Sequence, residues 1–177
     1  MIIKGGSIKM TQADEHFINT CKEILEHGYS SEGTGVRTRW EDGTEANYIS
    51  IVGVSNKYDV GKEFPMITLR NNSKTVIRSI DEILWIWQKK SNNIHDLNSH
   101  IWDQWADENG SIGKAYGYQL AKKYTFKTKE GLKEMDQVDY VLYLLNHDQA
   151  SRRIMTNLFN HEELKDMNLE PCAFGTQ

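Results

Sequence analysis

Cys172 follows Pro171 at the head of a short apolar run, Cys172-Ala173-Phe174. A thiolate placed there is a nucleophile toward an electron-poor carbon, and a nearby guanidinium would favour it. A buried thiol without such a neighbour is inert packing. Arg152 and Arg153 are adjacent. Adjacent side chains of a strand point to opposite faces, so both forks reach one phosphate only if the backbone turns there or a second subunit uses one of them. The bland reading is a solvated pair at a strand start. Glu82 stands one position from an apolar helical stripe, where a half-buried carboxylate can move protons and a solvated flank residue does not. His95 and His100 are five apart, the wrong spacing for two ligands on one helix face, so no metal site is expected. The run Lys122-Lys123-Tyr124-Thr125-Phe126-Lys127-Thr128-Lys129 interleaves bases with aromatics, as a platform for single-stranded nucleic acid would. Nothing else in the sequence adds positive charge to it, so an exposed hairpin is the expectation and no specific nucleic-acid partner is assigned.

Elements must position these groups. From Ala13 to His27, Phe17, Ile18, Cys21, Ile24 and Leu25 recur at helical spacing, and Gly28 is the stop signal. A Ser/Gly/Thr loop, 30–35, leads into Val36 to Trp40. Asp42-Gly43 then precedes Tyr48 to Val52, which together read as a β-hairpin. Pro65 introduces Met66 to Leu69. From Lys74 onward Val76, Ile77, Ile80, Ile83, Leu84 and Trp87 share one face, which predicts a core helix. Between Asn92 and Gln119 tryptophans and glycines lack a period and suggest a pocket lining. Asp136 caps a helix whose Val138, Val141, Leu142 and Leu145 are expected to face inward, and Ser151-Arg152-Arg153 opens a strand-like stretch from Ile154 to Phe159. A short helix over Glu162 to Met167 and a strand over Cys172 to Phe174 complete the reading.

Length and composition bound the answer. The 177 residues suit one domain, and 38% hydrophobic with 26% charged residues is a globular balance. With 21 basic against 25 acidic residues the formal charge is -4, which argues against a partner bound by general counterion release. The longest apolar run, Ile83 to Trp87, is far shorter than the roughly 20 residues of a membrane span, and two cysteines are too few for a disulfide framework, so the expected setting is a reduced cytoplasm. Lys4-Gly5-Gly6 can be written in codons as a purine run of ribosome-binding type before Met10. Residues 1–9 are therefore read as a translated leader that is not structural, and residues 10–177 as the domain.

Taken in order, Glu82-Ile83-Leu84-Trp85, Ile101-Trp102-Asp103-Gln104-Trp105-Ala106-Asp107-Glu108-Asn109-Gly110, Gly113-Lys114-Ala115-Tyr116-Gly117, Ser151-Arg152-Arg153 and Pro171-Cys172 resemble the folate-dependent, cysteine-nucleophile thymidylate synthase family. The likeness is collinear from about Ala13 to Gln177, and Met10-Thr11-Gln12 resembles the start of the Bacillus and Bacillus-phage branch. It implies an α+β fold, a mixed β-sheet flanked by helices, in homodimers joined through sheet faces. It also implies reductive methylation of dUMP to dTMP, with 5,10-methylenetetrahydrofolate as co-substrate and no metal. By the same likeness Cys172 is the nucleophile that adds to C6 of uracil, and Glu82 organises proton transfer. Arg37, Arg152 and Arg153 bind the dUMP phosphate, the last two across the dimer interface. Trp102 stands beside the folate and Tyr116 in the cavity wall.

Two departures are visible. Where the family has Thr-Thr-Lys facing the folate tail, this sequence has Arg70-Asn71-Asn72. The family also continues well past the nucleophile's strand, into an Arg-Ser-x-Asp segment, a uracil-reading asparagine and a ribose-binding His-x-Tyr pair. Residues 10–177 are therefore expected to be the N-terminal part of the synthase domain, incomplete at its C-terminus. The 177-residue chain alone is expected to be inactive. The alternative is a shortened domain retained as a nucleotide-binding or protein-interaction module without catalysis.

Overall fold

The computed structural model describes residues 10–69 and 73–177, in two compact units divided between Asn72 and Ser73. The expected leader, residues 1–9, and Arg70-Asn71-Asn72 lie outside the described residues. In the first unit helix α1 (Gln12–His27) starts on a reciprocal cap. Thr11 Oγ1 accepts the Asp14 N–H, and the Asp14 carboxylate accepts the Thr11 N–H. Asp14 is fully buried, and the same carboxylate accepts the Thr68 N–H, the Thr68 hydroxyl and the Leu69 N–H. Burial alone would raise its pKa; the bonds from Thr68 and Thr11 outweigh burial and hold the carboxyl well below the usual range. One side chain thus ties the stretch after Pro65 to the start of α1.

Helix α1 ends at Gly28, where a Cβ would collide with the Ile24 carbonyl and the Ile49 side chain. The close approach lets β1 (Tyr29–Ser30) pair antiparallel with β2 (Ile49–Ser50). This corrects the expected hairpin. A turn does form at Asp42-Gly43, with a single bridge between Arg39 and Glu45, but Tyr48 to Val52 does not pair back on Val36 to Trp40. Ser31 is the reason: its N–H donates to the Tyr48 carbonyl and its Oγ accepts the Tyr48 N–H, drawing the chain away from its expected partner.

In the second unit α2 (Ser73–Ile83) runs into a π-helical turn, Leu84–Lys89. The expected core stripe is not buried: Ile77, Ile80, Ile83 and Leu84 are exposed, and the buried residues are Trp85 and Ile86 in the π-turn. The wider turn rotates these two off the helical period, so a 3.6-residue stripe misplaces them. Lys90 closes the turn in the left-handed conformation, φ 53°, with its N–H on the Trp85 carbonyl. Trp85 and Ile86 then pack with Leu97, Trp102, Ile112, Ala115, Tyr116, Leu120 and Leu158. The aperiodic, indole-rich stretch therefore builds the core of this unit. Helix α3 (Tyr116–Ala121) enters it through Gly117, whose missing side chain admits the backbone of Ser91.

Asp136 caps α4 (Gln137–His147) as expected, but the buried residue is Leu144, while Leu142 and Leu145 are exposed. Asp136, itself buried, accepts Lys90 Nζ at 2.8 Å and Lys123 Nζ at 2.9 Å. Burial would raise its pKa; Lys90, the Asp139 N–H and Lys123 outweigh it and bring it to about 2. Before α4 stands the anticipated exposed hairpin, β3 (Tyr124–Thr128) with β4 (Gly131–Met135). After α4 the chain turns at 151–153, and β5 (Thr156–Asn157) pairs antiparallel with β6 (Gly175–Thr176), so the last strand begins after Phe174, not at Cys172. The expected helix near Glu162 is a 3-10 helix over His161–Asp166. Its Glu163 is held at about 2 by Lys122 and Gln119 against a smaller effect of burial. Helices and three two-stranded antiparallel ladders among the described residues make the fold α+β. Among them no helix is long and apolar enough to cross a membrane.

Two outcomes follow. Gly117→Ala forces a methyl group into the Ser91 backbone, and the unfolding free energy in urea should drop by about 1–3 kcal/mol. Asp136 and Glu163 are held at about 2 against ordinary values of 3.8 and 4.5. Depressed carboxylates stabilise fully above the unfolded values and lose that contribution as the pH falls through the folded ones. The urea midpoint should therefore be level above about pH 4.5 and decline toward about pH 2, less steeply in Asp136→Asn. A midpoint that does not move across this window refutes the assignment.

Candidate active site

Glu82 lies in the last turn of α2, half-buried, immediately before the π-turn that sinks Trp85 into the core. A buried indole N–H needs an acceptor. Trp85 Nε1 donates to the Asn93 carbonyl at 3.0 Å, and Trp102 Nε1 donates to Glu82 Oε1 at 2.7 Å. The second bond fixes one carboxylate oxygen on the core and leaves Oε2 for another partner. The Trp102 ring meets Trp85 at 6.0 Å, Trp105 at 5.4 Å and Tyr116 at 5.8 Å between centroids, the last edge to face.

Tyr116 carries the chain of contacts onward. It is buried at the start of α3, and its hydroxyl oxygen accepts the Cys172 backbone N–H at 2.9 Å. Burial pushes its pKa above the ordinary 10.0, so the hydroxyl stays protonated and keeps a proton to donate. Cys172 is a free, exposed thiol at a bend between Pro171 and β6. Four of the candidate residues are thus brought together: Glu82 to Trp102, Trp102 to Tyr116 and Tyr116 to Cys172. Such a set offers a nucleophile, an oriented carboxylate and an O–H donor on one core, which suits covalent catalysis with proton transfer.

Among the described residues, Arg152 and Arg153 share no hydrogen bond or ion pair with these four side chains. Arg152 and Arg153 are exposed in the turn after α4, where the Met155 N–H bonds the Arg153 carbonyl at 2.9 Å and the Arg153 N–H bonds Ser151 Oγ at 3.3 Å. The turn removes the constraint that adjacent residues face oppositely. Arg37 belongs to the first unit and is exposed between Gly35 and the Arg39–Glu45 bridge. Among the described residues, no three His, Cys, Asp or Glu side chains gather as a metal site.

The profile of the thymidylate synthase family matches residues 15–177. The chain belongs to that family. It is 46% identical over 173 residues to the thymidylate synthase of Bacillus mojavensis and 44% to thymidylate synthase 1 of Bacillus subtilis strain 168, in each case over 95% of this chain and 60% of the relative. The thymidylate synthase of Bacillus phage phi3T is 43% identical over the same spans. Among solved structures, thermostable thymidylate synthase A from Bacillus subtilis superposes with a TM-score of 0.83 at 42% identity, covering 94% of this chain and 59% of that one. The chain thus spans about 60% of the length of these thymidylate synthases.

Asp81 escaped the sequence reading. Beside Glu82, it accepts the N–H groups of Asn98 and Ser99 and the Asn98 side-chain amide, and so sets the loop that delivers Trp102. No spacing rule joins an acid on a helix to a loop 17 residues on, so the sequence held no signal for it. Trp105, beside Trp102, was visible only as one more indole of the stretch.

Removing the Tyr116 hydroxyl leaves the Cys172 N–H without its acceptor. In Tyr116→Phe the Cys172 amide should exchange with solvent deuterium about fivefold faster or more, as the loss of roughly 1 kcal/mol of hydrogen bonding requires. An unchanged rate would show that this bond does not hold the Cys172 backbone.

Proposed function

We propose that this chain provides the nucleophile, the proton-transfer carboxylate and phosphate ligands of a thymidylate synthase, which methylates dUMP reductively to dTMP with 5,10-methylenetetrahydrofolate. The observation that carries the proposal is the linked set Glu82, Trp102, Tyr116 and Cys172. The Cys172 thiolate adds to C6 of uracil, and C5 becomes an enolate-like carbon that attacks the folate methylene. Covalent attachment divides one difficult substitution into easier steps. Loss of the C5 proton and elimination of the folate leave an exocyclic methylene; hydride from the folate reduces it to methyl, releases Cys172 and yields dihydrofolate.

Each residue has a physical task in this scheme. Glu82, held through Oε1, relays protons around the pyrimidine with its other oxygen. Trp102 keeps that carboxylate oriented and borders the folate, and Tyr116 positions the Cys172 backbone and presents its O–H to the pyrimidine. Arg37, Arg152 and Arg153 hold the phosphate, for which the guanidinium fork is suited. In a homodimer the exposed turn at 151–153 presents its arginines to the partner's nucleotide. Residues 10–177 are the N-terminal part of the synthase domain in this reading, with 1–9 as leader. The free thiols of Cys21 and Cys172 fit a reducing cytoplasm.

The test is a chimera in which residues 1–177 are continued by the remaining part of the Bacillus mojavensis enzyme. It should release dihydrofolate only when dUMP is present, and Cys172→Ser should release none. Glu82→Gln should lower kcat about 10²- to 10⁴-fold, the usual worth of a positioned acid–base group. The 177-residue polypeptide assayed alone should give no turnover. A folded chimera that binds dUMP but never releases dihydrofolate would replace catalysis with the binding-module reading.

A further inference from the structure

The basic and aromatic stretch of the hairpin gains in the fold what the sequence did not give it, a further cation from elsewhere in the chain. A cavity of about 440 Å³ lies between the β3–β4 hairpin, the C-terminal half of α4 and the turn at 151–153, and Lys127, Lys129 and Arg153 all line it. Asp148 is the one carboxylate in its lining and His147 the one imidazole, so the wall is net positive in a chain whose formal charge is -4. Among the described residues, neither Lys127 nor Arg153 has a carboxylate within ion-pairing distance. Ser151 Oγ spends an acceptor on the Arg153 N–H, and its own proton remains for a ligand.

The cavity's walls are held in place. The Lys129 N–H donates to the Tyr143 hydroxyl at 3.1 Å and Lys129 Nζ to the His147 carbonyl at 2.9 Å, which pins the hairpin tip to the end of α4. The second bond also occupies a carbonyl at the negative end of the helix, the group that would otherwise repel an anion. Phe126 of β3 stacks on Tyr140 of α4 at 3.9 Å, which packs strand on helix, and Tyr143 stacks on His147 within α4 at 4.3 Å. His147 Nδ1 bonds the Tyr143 carbonyl at 2.8 Å, which fixes the ring.

We infer that this cavity is a second anion site, one that takes a phosphate or pyrophosphate group between Lys127, Lys129 and Arg153 with Ser151 as hydroxyl donor. It shares only Arg153 with the proposed dUMP site and stands whether or not the chain methylates dUMP.

The probe is inorganic pyrophosphate at low ionic strength, titrated into the 177-residue chain and followed by calorimetry and by amide NMR, with dUMP as the second arm. Pyrophosphate should shift the amides of Lys127, Lys129 and Ser151, and Lys127→Ala, an exposed change that leaves the anchoring bonds of Lys129 intact, should weaken it about tenfold, the worth of a charge-assisted contact. Lys127→Arg should restore most of the affinity. Weakening of dUMP by Lys127→Ala to the same extent would merge the two sites and overturn the inference. So would pyrophosphate binding that Lys127→Ala leaves unchanged while circular dichroism shows a native fold, or no pyrophosphate binding at all.

Discussion

A buried indole must find an acceptor for its N–H, and in this protein that requirement joins the core to the proposed site. Trp102 is packed among Trp85, Trp105 and Tyr116, and the acceptor it reaches is Glu82. The carboxylate pays for its partial desolvation with a charge-assisted bond, the stronger class of hydrogen bond. Packing therefore sets the orientation of the group proposed to move protons. The same aromatic cluster reaches Cys172 through the Tyr116 hydroxyl, so the proposed nucleophile and the carboxylate are joined to one set of packed rings.

The π-turn makes this possible. A continuous α-helix would keep the period of Ile77, Ile80 and Ile83 and leave Trp85 on a different face. The wider turn sends Trp85 and Ile86 inward directly after Glu82. Closing it requires a left-handed residue, and the non-glycine found there is Lys90. Its ammonium is held by Asp136 and Asp139 at 2.8 and 3.0 Å, at the start of α4. An unfavourable backbone conformation is thereby held by the half-buried Lys90 on a buried acid that also caps α4. The hairpin joins through Lys123 on the same acid, so the chain conformation after Glu82 depends on charges contributed by residues 123–139.

Much of this arrangement was legible in the sequence where the signal was local. The span of α1 followed from its apolar period, the capping role of Asp136 from its place before an apolar run, and the exposed hairpin from the alternation between Lys122 and Lys129. The failures share a cause. The stripe of α2 was read inward because periodicity reports which residues share a face and not what covers that face, and Leu144 was missed on α4 for the same reason. The hairpin from Val36 was overruled by Ser31, a side chain 17 residues from its partner Tyr48. For the site, order and spacing pointed to Glu82, Trp102, Tyr116 and Cys172 through resemblance, but the bonds among them are long-range and no local rule contains them.

The division of labour between the two kinds of site residue has a physical basis. The groups proposed to make and break bonds need fixed geometry, since misplacement of a reacting group costs rate steeply, and they rest on buried rings. The groups proposed to bind phosphate need reach, and Arg37, Arg152 and Arg153 are all exposed on loops and turns, where a guanidinium carries no desolvation cost. An arginine sunk in the core would have demanded a carboxylate partner, as Lys90 demands Asp136, and a paired arginine has less to offer a phosphate. The exposure of these arginines is therefore the condition for binding an anion in a chain of net negative charge. The turn at 151–153 frees two adjacent residues from the opposite facing that a strand would impose, as the proposed role of Arg152 and Arg153 requires.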